Sequence, residues 1–221
     1  MAAFACHVSE PAAIALMWSP VTLAADSGLP ELMPDGWHSW QVAATRDAPV
    51  GCCYQRYGDF VSPVVCQLGK SMSFVGNADE MGADEVAIYA RFEKGQIQSV
   101  RALAPDCPVE ASARINPHGV VRNDDSVIHL AHAIAPRSDV SAEVIAAISF
   151  HAGAEARRTL EATAIGGAEL ANRKDAIFWI GQSRAAEMRT LLRRLMFNDA
   201  NPEIRQHTAF AWSQSKLPDV A

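Results

Sequence analysis

The segment Asp175-Ala-Ile-Phe-Trp-Ile-Gly-Gln-Ser183 decides the fold, because a degraded copy of it, His207-Thr-Ala-Phe-Ala-Trp-Ser-Gln-Ser215, follows 32 residues later. A fixed period of this length predicts stacked helical repeats. Such repeats expose an extended face rather than enclosing a pocket, so the C-terminal third is expected to carry a binding surface. The positions that are identical in the two copies are Phe178 and Phe210, Gln182 and Gln214, and Ser183 and Ser215.

Helix signals fill the chain from Asn123 onward. Asn123-Asp124-Asp125 supplies N-cap chemistry, and Asn201 is a cap followed by Pro202 at the first helical position. Apolar residues then recur every three or four positions, which is helical periodicity. The pattern predicts helices at 126–135, 141–151, 154–164, 170–183, 185–197 and 202–215.

Upstream, from Gly36 to Val121, the pattern is typical of strands. Short strands are predicted at 37–43, 63–68 and 71–75, and alternating segments at 85–92 and 96–103 flank the turn Glu93-Lys94-Gly95 as a hairpin. Proline cannot donate a ladder hydrogen bond, so the sheet is expected to end at Asp106-Cys107-Pro108. The predicted fold class is α+β, a small antiparallel β module followed by an α-helical repeat solenoid.

Charge is distributed unevenly along the 221 residues. The net charge is −6; residues 1–140 hold 9 basic and 16 acidic residues, a net −7, whereas residues 141–221 hold 10 and 9, a net +1. An acidic N-terminal part repels phosphates, so nucleic acid is not expected as a ligand.

The N-terminal residues have the outline of a leader. The apolar run from Ala12 to Trp18 is too short to span a bilayer, so no membrane span is predicted. Small residues at Thr22-Leu-Ala-Ala25 resemble a cleavage site, although no Lys or Arg precedes Ala13, where a signal peptide carries basic residues. We favour a periplasmic or secreted location over a cytoplasmic one; the alternative is a flexible, alanine-rich N-terminus.

Five cysteines occur, at positions 6, 52, 53, 66 and 107. Removal of a leader containing Cys6 would leave four, an even number suited to two disulfides. Cys52 and Cys53 are adjacent and do not readily bond to each other, so each is expected to pair with Cys66 or Cys107, in either combination. In a reducing compartment the same residues would instead be buried small hydrophobes.

The repeats resemble the HEAT repeat family. The likeness rests on the entry Asn201-Pro-Glu-Ile-Arg205 into a first helix, the small-residue and aromatic stripe along it, and the Gln-Ser at its end. The chain is similar to bacterial HEAT repeat proteins in which a small module with a Cys-Cys pair and a later Asp-Cys-Pro precedes repeats such as Ile148-Ser-Phe-His-Ala-Gly153. The resemblance covers residues 36–221 and implies paired antiparallel helices and a binding role, without an established reaction or ligand.

Three parts are therefore predicted: a flexible or leader-like N-terminus at 1–35, a β-rich module at 36–121, and HEAT-like repeats at 122–221. The last repeat stops at Lys216-Leu-Pro-Asp-Val-Ala221, where its second helix is expected to begin. Because a solenoid normally ends in a polar cap, we expect further sequence or another chain to cover the helix around Phe210 and Trp212.

The repeat offset also aligns arginines on the second helices. Arg157 falls over Arg189 as Leu160 falls over Leu192, and the leucines belong to the core between helices. Second helices of HEAT-like stacks line the concave face, so the arginines are suited to bidentate contacts with carboxylates of an acidic protein partner. The alternative is a solvated face paired locally with Glu155, Glu161 and Glu187. The candidate partner-binding residues are Arg157, Arg158, Arg189, Arg193 and Arg194.

Other repeated residues are assigned to the framework. Arg173 and Arg205 align near the starts of their helices and are expected to bridge repeats through carbonyl groups or Asp199. Trp179 and Trp212 are expected in the core, because aromatic residues at helical spacing are usually buried.

An enzyme would need a nucleophile, a base and an oxyanion donor. The candidates are Cys107 or Cys53 with His118, His38 or His151, and in addition Asp106 or Asp124, but their spacing selects no combination. His129 and His132 supply two metal ligands without a third, so neither metal nor cofactor is predicted. We expect a non-catalytic protein-binding scaffold; the alternative is a thiol-dependent enzyme or redox-sensing module that uses Cys52, Cys53, Cys66 and Cys107.

Overall fold

The computed structural model describes residues 28–45, 48, 50–57, 60–69, 83–134, 140–183 and 188–215. The predicted strand at 71–75, residues 1–27 of the leader-like segment and residues 185–187 of the fifth predicted helix lie outside these ranges. The elements within them are β1 Gly36–Ala43, β2 Tyr54–Tyr57, β3 Phe60–Pro63, β4 Cys66–Gln67, β5 Glu85–Glu93, β6 Gln96–Leu103, β7 Val109–Glu110, β8 Ile115–Val120, α1 Asn123–Ala131, α2 Ser141–Ser149, α3 Ala154–Gly166, α4 Leu170–Gln182, α5 Met188–Asn198 and α6 Pro202–Ser213.

A four-stranded sheet in the order β6-β5-β1-β8 forms one layer. The β1–β5 and β5–β6 pairs are antiparallel, as predicted, but β8 joins β1 in parallel. Two smaller pairs accompany the sheet, β2 with β3 antiparallel and β4 with β7 parallel. The α+β class is confirmed, and the sheet is mixed rather than purely antiparallel.

The prediction that the sheet pattern ends at Pro108 is wrong, because β7 and β8 follow it. Strand β8 contains Pro117 and Gly119, and the φ of Gly119 is +71°, so its residues carry no strand signal. It lies at the edge of the sheet, where a proline without an N–H costs no ladder hydrogen bond. Its place is therefore set by pairing with β1 and not by local preference.

The hairpin of β5 and β6 is confirmed with its turn. Lys94 and Gly95 adopt φ values of +52° and +73°, and the Lys94 amide donates to Asp35 Oδ1 at 2.6 Å. The burial differs from the expected alternation, since all residues of β5 from Val86 to Ala90 are buried. Side chains on both faces of this stretch are therefore covered, and it has no solvent-exposed face.

The helices lie close to their predicted ranges, but their caps differ. Helix α1 begins at Asn123, three residues before its predicted start. The Asn123 side chain does not cap the helix: its Oδ1 accepts the backbone N–H of Ala43, and its Nδ2 donates to the carbonyl groups of Ala43 and Ala152. Ser141 is the first residue of α2 and does not cap it. The predicted cap of α6 is confirmed, because Asn201 Oδ1 accepts the Glu203 amide at 2.8 Å.

Helix α4 is the centre of the helical layer and contacts α2, α3, α5 and α6. It approaches α6 closely: a Cβ atom added to Gly181 would lie 2.9 Å from the carbonyl oxygen of Ala211. At the end of the same interface the Gln182 side-chain amide donates to the carbonyl of Gln214 at 3.3 Å. The two copies of the repeated segment thus pack side by side.

The sheet and the helices share one hydrophobic core, which runs from Met33 to Ala211. Glu143 of α2 accepts the Val100 amide of edge strand β6 at 2.7 Å and pairs with Arg101. At the other end, the Thr45 amide after β1 donates to the carbonyl of Phe150 at 2.8 Å. These bonds hold the helical layer against the sheet.

Candidate protein-binding surface

Helix α5 separates apolar from basic residues clearly. Met188, Leu191, Leu192 and Leu195 are buried at the spacing of one helix face. Between them Arg193 and Arg194 are exposed, and within the described part of the chain neither has a hydrogen-bond or ion-pair partner. The helix bounds contain no acidic residue, so α5 presents positive charge to solvent.

Helix α3 carries the other part of the predicted arginine row. Arg157 and Arg158 are exposed, while Leu160 is buried between α3 and its neighbours. Arg158 Nε lies 3.2 Å from Glu155 Oε2, as the alternative of local pairing expects, and Arg157 Nη1 donates to the Gly153 carbonyl at 3.2 Å. Arg189 of α5 is half-buried. The five arginines therefore differ in exposure and in pairing, and Arg193 and Arg194 are the most available to a partner.

Arg173 and Arg205 link helices, which confirms their prediction. Arg173 Nε donates to the Ala164 carbonyl at 2.8 Å and its Nη2 pairs with Asp199. Arg205 Nη1 donates to the Asp199 carbonyl at 2.7 Å. Burial raises the pKa of the Asp199 carboxyl, but hydrogen bonds from Arg173 and the Asn201 amide outweigh burial and hold that pKa below its usual value.

The two tryptophans are half-buried and packed against the core. Trp179 meets Phe150 edge-on at a centroid distance of 5.2 Å and also contacts Phe178. Both residues thus belong to the framework, although not to its fully buried part. Phe210, one of the repeated positions, is 51 % exposed.

A cleft of about 50 Å³ opens between the end of β1 and helices α2 to α5. Thr45, Arg157 and Ser183 contribute polar groups, and Leu160 and Met188 contribute apolar ones. A space of this size holds a few water molecules rather than an organic cofactor.

His151 lines the cleft, but both of its ring nitrogens are hydrogen-bonded within the protein. Its Nδ1 lies 2.9 Å from the Ala147 carbonyl and its Nε2 lies 2.8 Å from Ser126 Oγ, which also accepts the Trp40 indole N–H at 2.7 Å. A carbonyl only accepts, so Nδ1 carries the proton and Ser126 donates to Nε2. Burial, partly offset by the bond to Ala147, lowers the pKa of His151 to about 4.

The four cysteines form two disulfides, which confirms the prediction of cross-links. Cys52 is bonded to Cys107 and Cys53 to Cys66. The sulfur atoms of Cys52 and Cys107 lie within 4.8 Å of a carboxylate oxygen of Asp106. As long as the sulfurs are bonded to each other they supply no thiolate, either as a nucleophile or as a metal ligand.

Two histidines named only as candidate bases meet in the structure. His38 Nδ1 of β1 and His118 Nε2 of β8 lie 2.9 Å apart, and His38 Nε2 lies 3.0 Å from the Pro34 carbonyl. The sequence could not show this, because the pair is separated by 80 residues and β8 has no strand signal. Burial and the charge of His38 lower the pKa of His118.

Across the helices described by the structure, none has the length and apolarity required to cross a bilayer. In comparisons with known proteins, no family model matches the chain, and neither a curated protein nor a solved structure is significantly similar to it.

Proposed function

We propose that this chain is a non-catalytic protein-binding scaffold whose α3 and α5 surface recognises an acidic protein. The observation that carries the proposal is the pair Arg193 and Arg194, which are exposed on a helix without acidic residues. Guanidinium groups bind carboxylates in a bidentate manner, so an acidic surface suits them best.

The proposed architecture behind this surface is a HEAT-like solenoid. In it α2 with α3 and α4 with α5 are helix pairs, and α6 is the first helix of a further pair. Support comes from the contacts of α4 with both α2 and α6, and from the repeated arginines Arg173 and Arg205, which bind the carbonyl groups at the ends of α3 and α5. Stacked repeats present extended surfaces, which suit a protein better than a small ligand.

Charge reversal tests this function. We expect Arg193→Glu/Arg194→Glu to weaken binding of the main partner, captured from the source organism and identified by mass spectrometry, by about tenfold or more, because like charges then face each other. The measurement is isothermal titration of purified partner at two salt concentrations.

The matched control is Arg91→Glu/Arg114→Glu, which changes the net charge equally on the sheet side of the molecule, where both side chains are exposed. Equal affinity of all three proteins, or an equal loss in both variants, contradicts the proposed surface. The alternative is a thiol-dependent enzyme or redox-sensing module that uses Cys52, Cys53, Cys66 and Cys107, which are paired here as disulfides. A free-thiol titration of the native protein distinguishes the two functions, because reactive thiols of low pKa would favour the alternative.

A further inference from the structure

The hydrogen bond between His38 and His118 depends on an unprotonated nitrogen. A carbonyl oxygen accepts but never donates, so His38 Nε2, 3.0 Å from the Pro34 carbonyl, carries a proton. The Nδ1 atom of neutral His38 is then a lone pair, and it accepts the N–H of His118 Nε2 at 2.9 Å. A proton added to His38 Nδ1 would leave two donors facing each other and abolish this bond.

Strand β8, which carries His118, is attached to the protein by few contacts. It lies at the edge of the sheet, and among the described strands it pairs with β1 alone. None of its side chains is fully buried, and Pro117 has no N–H to donate to the ladder. The Asn116 side-chain amide adds one bond, to the Trp37 carbonyl at 3.3 Å. Elements with few buried contacts open at a low free energy, so the bond from His118 to the buried His38 is a substantial part of this attachment.

The groups that face the pair from the neighbouring elements are apolar or become positive in acid. From β5, Phe92 packs edge-on against His38 at a centroid distance of 5.5 Å. From the last turn of α1, His129 contacts Phe92 at 5.5 Å. His129 interacts electrostatically with His132, His118 and His38. Acidification therefore adds charge of one sign around the pair.

No carboxylate of the described residues contacts His38 or His118. Strands β1 and β8 contain none, and those of the adjoining segments lie at other places on their elements or bind other groups. They are Asp35, which accepts the Lys94 amide at 2.6 Å, Glu85, opposite Ala43, Glu93, 3.9 Å from Arg91, and Asp124 and Asp125 in the first turn of α1. A proton added to the pair is therefore not compensated by a negative charge in contact with it.

The direction of the pH effect follows from proton binding. Burial lowers the pKa of His118, and the charge of His38 lowers it further. An imidazole exposed to solvent titrates near pH 6.5, so with β8 detached both rings take up protons below about that pH. The attached form binds fewer protons than the detached form, and acid therefore favours detachment. The equilibrium shifts by about tenfold for each pH unit and each additional proton.

We propose that the His38–His118 hydrogen bond is a pH-sensitive switch, which holds β8 on the sheet at neutral pH and releases it from β1 on acidification. Release leaves the edge of β1 unpaired from Trp37 to Gln41, the residues that β8 covers. The rest of the sheet and the helical layer stay folded, because no side chain of β8 belongs to the fully buried core.

Hydrogen-exchange mass spectrometry of the full chain between pH 7.5 and pH 5 tests this switch, with rates corrected for the intrinsic effect of pH on exchange. Peptides that cover β8 should be protected at pH 7.5, and below pH 6.5 their protection should fall by about tenfold for each pH unit. His118→Gln should keep this protection within about threefold over the same range, because glutamine offers His38 an N–H but does not titrate.

The matched control is His207→Gln. His207 is also half-buried and bonded through Nε2, at 2.9 Å to the Lys174 carbonyl, but it lies on α6. This variant should show the same fall in β8 protection as the wild type. His151 titrates in all of these proteins, so its effect on global stability is common to them.

Circular dichroism at pH 7.5 verifies the fold of each variant. His38→Gln is a second probe, since a glutamine amide can donate to Pro34 and accept from His118, and it should also remove the pH dependence. Three results would each overturn the switch: a β8 without protection at pH 7.5, a wild-type protection that does not change with pH, or a fall in His118→Gln as steep as in the wild type.

Discussion

At the scale of single residues, one chain of buried polar side chains links distant parts of the sequence. Trp40 reaches Ser126 across 86 residues, and Ser126 donates to His151, which in turn donates to the Ala147 carbonyl. A buried polar group without a partner costs about 1–3 kcal/mol, so this chain of bonds is what makes a buried histidine tolerable. Its neutral form is part of the fold.

The titration of His151 makes stability depend on pH. Its pKa is about 4 in the folded protein and 6.5 in the unfolded chain, so only the unfolded state binds a proton between these values. The free energy of unfolding should therefore fall by about 3 kcal/mol as the pH drops from 6.5 to 4. Below pH 4, His151 should cause no further change in it.

Urea unfolding of the wild type and of His151→Gln between pH 4 and pH 7.5 measures this effect. His118 and His129 titrate in both proteins, so their contributions cancel in the difference. The variant should be less stable at pH 7.5 and should lose less stability on acidification. Parallel pH profiles would show that His151 is not the group responsible.

At the scale of elements, the two copies of the repeated segment are held together by close backbone packing as well as by side-chain contacts. Gly181 lies near the end of the first copy of the repeated segment, and its missing Cβ lets α4 lie against the carbonyl of Ala211 in α6. The aligned position in the second copy is Ser213, on an exposed part of α6. At this position, therefore, only the first copy is packed against a neighbouring helix among the helices that the structure describes.

Two glycine-to-alanine substitutions test this close approach. Gly181→Ala places a Cβ 2.9 Å from a backbone oxygen that cannot move without shifting α6, and should lower the free energy of unfolding by about 1–3 kcal/mol. Gly166→Ala, at the end of α3, meets nothing within 4 Å and should raise it by about 0.5–1 kcal/mol, since alanine is the better helix former. Denaturant titrations decide the matter, and the packing argument fails if both variants are stabilised alike.

At the scale of the whole molecule, the disulfides join segments that no continuous element connects. The Cys52–Cys107 bond closes a separation of 55 residues and encloses the β5–β6 hairpin, whereas Cys53–Cys66 closes 13. In the chain-entropy account a cross-link stabilises the fold by restricting the unfolded chain, and more so for a longer loop.

Removal of the two disulfides should therefore lower the free energy of unfolding by different amounts. Cys52→Ala/Cys107→Ala should lose about 4 kcal/mol and Cys53→Ala/Cys66→Ala about 3 kcal/mol of the free energy of unfolding. Unfolding without reductant, after a thiol titration that verifies the remaining bond, measures both. The reverse order would mean that packing around the buried Cys53 and Cys66, and not loop length, dominates.

Sequence patterns predicted those parts of the fold that depend on consecutive residues. Alternation predicted the β5–β6 hairpin, and apolar residues every three or four positions predicted the helices to within a few residues. The cap at Asn201 also followed from local position. In each case the preference acts within a few residues, so it is present in the chain before folding.

Only the tertiary structure decided the remaining features, because each depends on which surfaces meet. Strand β8 has a proline and no strand signal, yet it pairs with β1 and brings His118 to His38. Which cysteine bonds to which was open until the loops at 52–53, 66 and 107 were placed. The repeated segment by itself predicted helices that pack side by side; the packing of α5 against α4 and α6 determined that Arg193 and Arg194 are exposed while Arg189 is half-buried.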